Sequence, residues 1–212
     1  REARVYAVAT AIFWAYPMLF ARGLSEAISF TPAAWTWYWI SSNASGVSKK
    51  MAFLAGIAGG ATSILRYPSG LFAVGAALLE GKKNIRRLGI FSVGLACVVL
   101  LGGMLDLYFY DGWLRSLFRY WEFNRPGGRV SVLFGEDSLA VYYHLFDFLF
   151  SPILAPLALF VAVWALLLNR KLLAFLLPYL LAHLAIGHRE PRFLLPLIPF
   201  AMAAVFVSLV TR

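Results

Sequence analysis

The chain has 212 residues, 61% of them hydrophobic, with 19 basic and 10 acidic side chains and a formal net charge of +9. Soluble domains carry about 25% charged residues; only 14% are charged here and mean hydropathy is +0.75, which excludes a soluble core and predicts an all-α integral membrane protein. The basic residues sit in short clusters between apolar runs, as topology determinants do, so the positive charge does not indicate a nucleic-acid partner.

Cutting the chain at its charges leaves apolar stretches at 5–21, 27–48, 51–65, 69–80, 88–105, 148–169, 172–187 and 193–211. A helix surrounded by lipid is apolar all round, so about eight transmembrane or re-entrant helices are predicted, in a single multispan domain over 1–212. The stretches 51–65 and 69–80 are short against the roughly 20 residues of a crossing. Arg66-Tyr67-Pro68 separates them, and they are either a tilted pair or a broken, partly re-entrant hairpin. Gly56 and Gly60, four apart, offer a face that another helix can approach closely. Cys97 is the one cysteine and lies in an apolar stretch, which excludes an intrachain disulfide framework and a cysteine-based zinc site.

If the segments alternate, the charges divide sharply. Arg1, Arg4, Lys49, Lys50, Lys82, Lys83, Arg86, Arg87, Arg170, Lys171 and Arg212 fall on one side against Glu2 and Glu80, a net +9, and that side is predicted to be cytoplasmic. The other side is neutral in sum, holds no lysine, and carries arginines interspersed with carboxylates. Arginine's planar fork binds phosphate or carboxylate bidentately, so chemistry is expected on that far side. The sequon Asn43-Ala44-Ser45 falls at the cytoplasmic end of its segment, out of reach of glycosylation.

The one long polar connection runs over about 106–147. Its aromatics Trp113, Phe118, Tyr120, Trp121 and Phe123 alternate with Arg115, Arg119 and Glu122, which predicts a helix over 113–123 lying at the headgroup level, either as a plain anchor or as part of a site. Pro126-Gly127-Gly128 breaks that helix, and a mobile loop is expected to follow as far as Phe134-Gly135-Glu136-Asp137. Glu136 and Asp137 with His144 form a weak candidate for acid–base work or cation binding. Asp106 and Asp147 end and begin apolar stretches, where a carboxylate is often simply solvated.

His188-Arg189-Glu190-Pro191-Arg192 packs four ionisable groups into a turn of a few residues between two apolar stretches. Such a turn either neutralises itself or presents imidazole and guanidinium groups to a phosphate at the membrane surface, with Glu190 holding an arginine in place. His183 and His188, five apart, fall on different helical faces, which disfavours a two-histidine metal site. Arg22 and Glu26 have the spacing of a helical ion pair, whereas Arg66 has no local acidic partner and is expected to face a polar cavity.

Four stretches, in order, resemble the membrane mannosyltransferases of glycosyltransferase family 22. They are Arg22-Gly23-Leu24-Ser25-Glu26, Arg66-Tyr67-Pro68, Asp106 through Trp113 with Phe123-Asn124, and His188-Arg189-Glu190-Pro191-Arg192-Phe193, the last being the most specific. The resemblance implies a GT-C-like multispan fold and transfer of a hexose, mannose, from a polyprenyl- or dolichyl-phosphate donor to a lipid-linked glycan or glycolipid acceptor. It implies an inverting displacement on the lumenal or periplasmic face, in the endoplasmic reticulum or cytoplasmic membrane. The charge division places the chain termini on the cytoplasmic side, and no cofactor or metal ligand set is assigned. It also assigns His188, Arg189, Arg192 and Arg66 to the donor phosphate, and Glu190, Asp106, Glu136, Arg22 and Glu26 to orienting or acceptor contacts. The family's histidine-proline-aspartate-glutamate motif precedes these stretches and has no counterpart here, so the catalytic base is expected before Arg1. A transporter or flippase of lipid-linked sugars is the competing class, but it calls for mid-span charges and an inverted repeat; a non-catalytic membrane subunit is the third.

Overall fold

A computed structural model describes residues 25–42, 48–125 and 128–210. The stretch 5–21, Arg22, the sequon and Pro126-Gly127 lie outside the described residues. Among the described residues the chain is helical with no strand: α1 (Ser25–Ser42), α2 (Lys49–Leu65), a 3-10 turn (Tyr67–Gly70), α3 (Leu71–Lys83), α4 (Ile85–Tyr110), α5 (Arg115–Asn124), α6 (Arg129–Phe134), α7 (Ala140–Leu168), α8 (Arg170–Ala185), a 3-10 stretch (Pro191–Leu197) and α9 (Ile198–Val210). Among the described residues, three helical stretches are long and apolar enough to cross a membrane: Ile85–Tyr110, Ala140–Leu168 and Pro191–Leu209. α1, α2, α3 and α8 also lie on predicted apolar stretches, but α2 has 17 residues and α3 only 13, fewer than a straight crossing needs.

Contacts divide the chain into two compact units. In the unit made of 29–136 and 174–188, helix ends are set by local chemistry. Ser48 caps α2 by accepting from the Met51 amide at 3.3 Å, and Asn84 caps α4 by accepting from the Arg86 amide at 2.8 Å. Between α2 and α3, Arg66 is extended, Pro68 opens a 3-10 turn, and the chain reverses. A Cβ on Gly70 would come 2.7 Å from Ser63 Oγ, and one on Gly59 would lie 3.1 Å from Ala73 Cβ, which shows α2 and α3 to be an antiparallel hairpin.

The predicted close approach at Gly56 and Gly60 is real, and α4 answers it. A side chain at Gly56 would strike the Phe91 carbonyl oxygen, one at Gly94 the Phe53 carbonyl oxygen, and one at Gly60 the Val98 side chain. Backbone therefore packs on backbone along α2 and α4, an arrangement available only to small residues. Gly75 of α3 likewise meets the Phe175 backbone of α8. Phe72 stacks on Tyr179 at 4.4 Å and 9°, and Trp37 lies 5.3 Å from Phe175, so aromatic rings fill the interior around α8.

The other unit comprises the chain up to residue 28, 137–173 and 189–212. Here α7 packs on α9, and Asn169 after α7 donates to Ser208 Oγ at 3.1 Å. Inside α7, Ser151 has φ 67° and ψ 155° and precedes Pro152, so the helix kinks there. Residues 140–147, expected in the polar connection, are thus helical and form, with 148–150, an arm on one side of the kink.

The connection over 106–147 differs from expectation in being mostly helical. α4 runs on to Tyr110, where Asp111 (φ 52°) and Leu114 (φ 50°) take left-handed conformations and turn the chain into α5. The surface helix predicted at 113–123 is observed as Arg115–Asn124, strongly amphipathic. The stretch expected to be a loop contains α6, a turn and a half over Arg129–Phe134 that Gly135 (φ 77°) ends.

Candidate functional site

The polar end of the 29–136 and 174–188 unit is assembled around the α2–α3 turn. Arg66 Nη1 donates to the Tyr179 hydroxyl at 3.4 Å. Tyr179 is fully buried, held between Phe72 and the ring of His183, whose centroid lies 4.1 Å away. His183 Nδ1 lies 2.8 Å from the Tyr179 carbonyl oxygen; a carbonyl only accepts, so that nitrogen carries the proton. Arg66 is therefore directed by a phenol that aromatic packing immobilises.

Beside it, Asp106 is 8% exposed at the far end of α4. One of its oxygens, Oδ2, accepts both the Ser116 amide at 2.8 Å and the Ser116 hydroxyl at 2.5 Å. Ser116 Oγ also bonds to the Tyr67 hydroxyl, and the Tyr67 ring lies 5.4 Å from that of Tyr120. Asp106, predicted to contact acceptor or loop, thus ties α4 to the first turn of α5 and to the α2–α3 turn. Arg66, Tyr67, Asp106 and Ser116 share one end of this unit, as the alternation of segments required. At the other end Glu80, fully buried, accepts from Arg87 Nε at 2.6 Å and Lys83 Nζ at 3.0 Å, while Lys83 also donates to the Ile40 carbonyl at 2.9 Å.

His188 stands with its ring 5.3 Å from Phe134, and Glu136 borders Gly187, where a Cβ would come 3.0 Å from Glu136 Oε1. In the unit containing the rest of the turn, the Arg189 amide reaches Asp137 Oδ2 at 3.3 Å and its Nη1 donates to the Asp137 carbonyl oxygen. Arg192 makes a two-point pair with Glu190, Nε to Oε2 at 2.5 Å and Nη2 to Oε1 at 3.0 Å, and Nε lies 3.7 Å from Glu26 Oε1. Glu26 is buried, whereas the Arg192 side chain is 49% exposed, so its guanidinium keeps an edge open to a ligand. His144 lies 3.4 Å from Asp147.

Sequence reasoning missed Tyr67, Ser116 and Tyr179, the hydroxyl partners of the predicted charges. Read alone they are aromatics and a serine among many, and only the fold brings them to Arg66 and Asp106. Arginine forks fixed by carboxylates and a phenol, at helix ends beside apolar spans, suit recognition of a phosphorylated lipid. No curated protein and no solved structure matches the chain. A family model does match, over residues 7–211, that of the Alg9-like mannosyltransferase family, and it takes in every stretch on which the site was drawn. The chain belongs to the Alg9-like mannosyltransferase family.

Proposed function

We propose that the protein moves a hexose, mannose, from a polyprenyl- or dolichyl-phosphate donor to a lipid-linked glycan or glycolipid acceptor, on the lumenal or periplasmic face of its membrane. The family match carries this reading, and the three long apolar helices support a bilayer setting. The shorter helices complete a GT-C-like set of crossing and re-entrant segments, with the lysine-bearing ends cytoplasmic.

The reaction is an inverting single displacement. A carboxylate takes the proton from the acceptor hydroxyl, that oxygen bonds to the anomeric carbon, and the bond from that carbon to the phosphate oxygen breaks with its electron pair leaving on the lipid phosphate. His188, Arg189, Arg192 and Arg66 act toward the donor phosphate. Glu190 orients Arg192, and Asp106, Glu136, Glu26 and Arg22 serve orienting or acceptor contacts. Placing guanidinium groups where negative charge develops lowers the barrier more than it tightens ground-state binding.

The test is transfer of radiolabelled mannose from polyprenyl-phosphate-mannose into lipid-extractable product in membranes holding the full-length protein. Arg192→Ala should raise the donor KM or lower kcat by about tenfold to a hundredfold, the worth of a charge-assisted bond. Glu190→Gln should have a smaller effect. Unchanged kinetics in Arg192→Ala and Arg189→Ala would sink the phosphate assignment, and no transfer from any polyprenyl-linked sugar would sink the whole reading.

A further inference from the structure

α5 and α6 carry a set of charges that the donor assignment leaves unused. Arg119, Glu122, Phe123, Arg125, Gly128 and Arg129 line a cleft of about 620 Å³. The three arginines and the glutamate are exposed, so guanidinium charge exceeds carboxylate charge in the cleft. Among the described residues no ion pair or side-chain hydrogen bond engages Arg119, Arg125 or Arg129, in contrast to Arg87, Arg189 and Arg192. Gly128 keeps the cleft compact: it is buried, and a Cβ there would come within 2.7–2.8 Å of the Arg125, Glu122 and Phe123 carbonyl oxygens. Any larger residue would push the start of α6, with Arg129, away from Arg125.

The neighbouring side chains decide which anion fits. On α5, Phe118 is 61% exposed and Trp121 63%, on a helix that also carries Arg115, Arg119 and Glu122. A helix of this kind settles with its rings at headgroup depth, which brings its arginines level with lipid phosphates. We infer that the cleft binds the phosphate of a membrane lipid headgroup, a phosphomonoester or diphosphate, through the forks of Arg119, Arg125 and Arg129. The site shares no residue with the proposed donor assignment, and its test does not depend on sugar transfer.

The full chain, purified in neutral detergent, is incubated with phosphatidic acid, phosphatidylcholine or inorganic pyrophosphate, and bound ligand is counted by native mass spectrometry. Wild type retains phosphatidic acid in preference to phosphatidylcholine, and retention falls as salt rises. Each single Arg→Gln change at 119, 125 or 129 weakens retention roughly fivefold, and the triple change on the order of a hundredfold, following the usual contribution of a basic residue at a lipid surface. Arg86→Gln, exposed at the opposite end of α4, leaves it unchanged. Equal retention by wild type and the three single variants, with thermal unfolding matched, overturns the site. Pyrophosphate bound as tightly as phosphatidic acid overturns the lipid source and assigns the cleft to a free anion.

Discussion

Glu80 and Asp106 are both buried carboxylates of one unit, and they sit near opposite ends of α4. Glu80 is held by a guanidinium and an ammonium, so its charge is cancelled where it stands. Asp106 is held by an amide and a hydroxyl, which orient the carboxylate without cancelling its charge. The first arrangement closes a helix junction. The second leaves an electrostatic field at the end where Arg66 and the α5 arginines stand, and a charged ligand can respond to that field. Burial alone does not tell these two carboxylates apart; the chemistry of their partners does.

The largest effect expected from breaking this contrast is at Glu80. Glu80→Ala strands Arg87, which is 5% exposed, and should cost about 3–5 kcal/mol in reversible unfolding from mixed micelles. Glu80→Ala with Arg87→Met should recover much of that loss, since the penalty lies in the stranded charge. Additive losses in the double variant would show that the pair is not the unit of stability. Next comes Gly56→Leu, which drives a side chain into the Phe91 carbonyl and should cost about 2–3 kcal/mol by forcing α2 from α4. Asp106→Asn keeps an acceptor for Ser116 and should cost only about 1 kcal/mol, and Ser116→Ala somewhat less. Sugar transfer should fall further in Asp106→Asn than this stability change explains. If Asp106→Asn unfolds the protein as readily as Glu80→Ala, the distinction between the two ends fails.

Much of this arrangement was legible beforehand. Apolar run lengths located most of the long helices, and the split between lysine-bearing and arginine-only ends grouped Arg66 with Asp106; in the structure it is Tyr67, next to Arg66, that reaches Asp106 through the Ser116 hydroxyl. The spacing of Gly56 and Gly60 foretold a close neighbour, though not that Gly94 of α4 would answer it. The Glu80–Arg87 pair went unread because its residues were counted as solvated topology charges; seven residues apart, they meet only after the chain reverses at Asn84. Residues 140–147 read as polar connection because Tyr143, His144 and Asp147 interrupt their apolar residues, yet a helix needs only one apolar face. Hydroxyl partners such as Tyr179 carry no charge signature, so no spacing rule could have attached them to Arg66.

The left-handed Ser151 inside α7 has a consequence for any map of that helix. The backbone rotates there outside the helical register, so the angular position of each side chain about the axis is reset between 150 and 152. Residues four apart across that point do not share a face. A labelling scan along α7 should show two oscillations of helical period, one over 140–150 and one over 152–168, with a jump in phase where they meet. Ser151→Gly, which removes the steric cost of a positive φ, should preserve the jump and strengthen both oscillations.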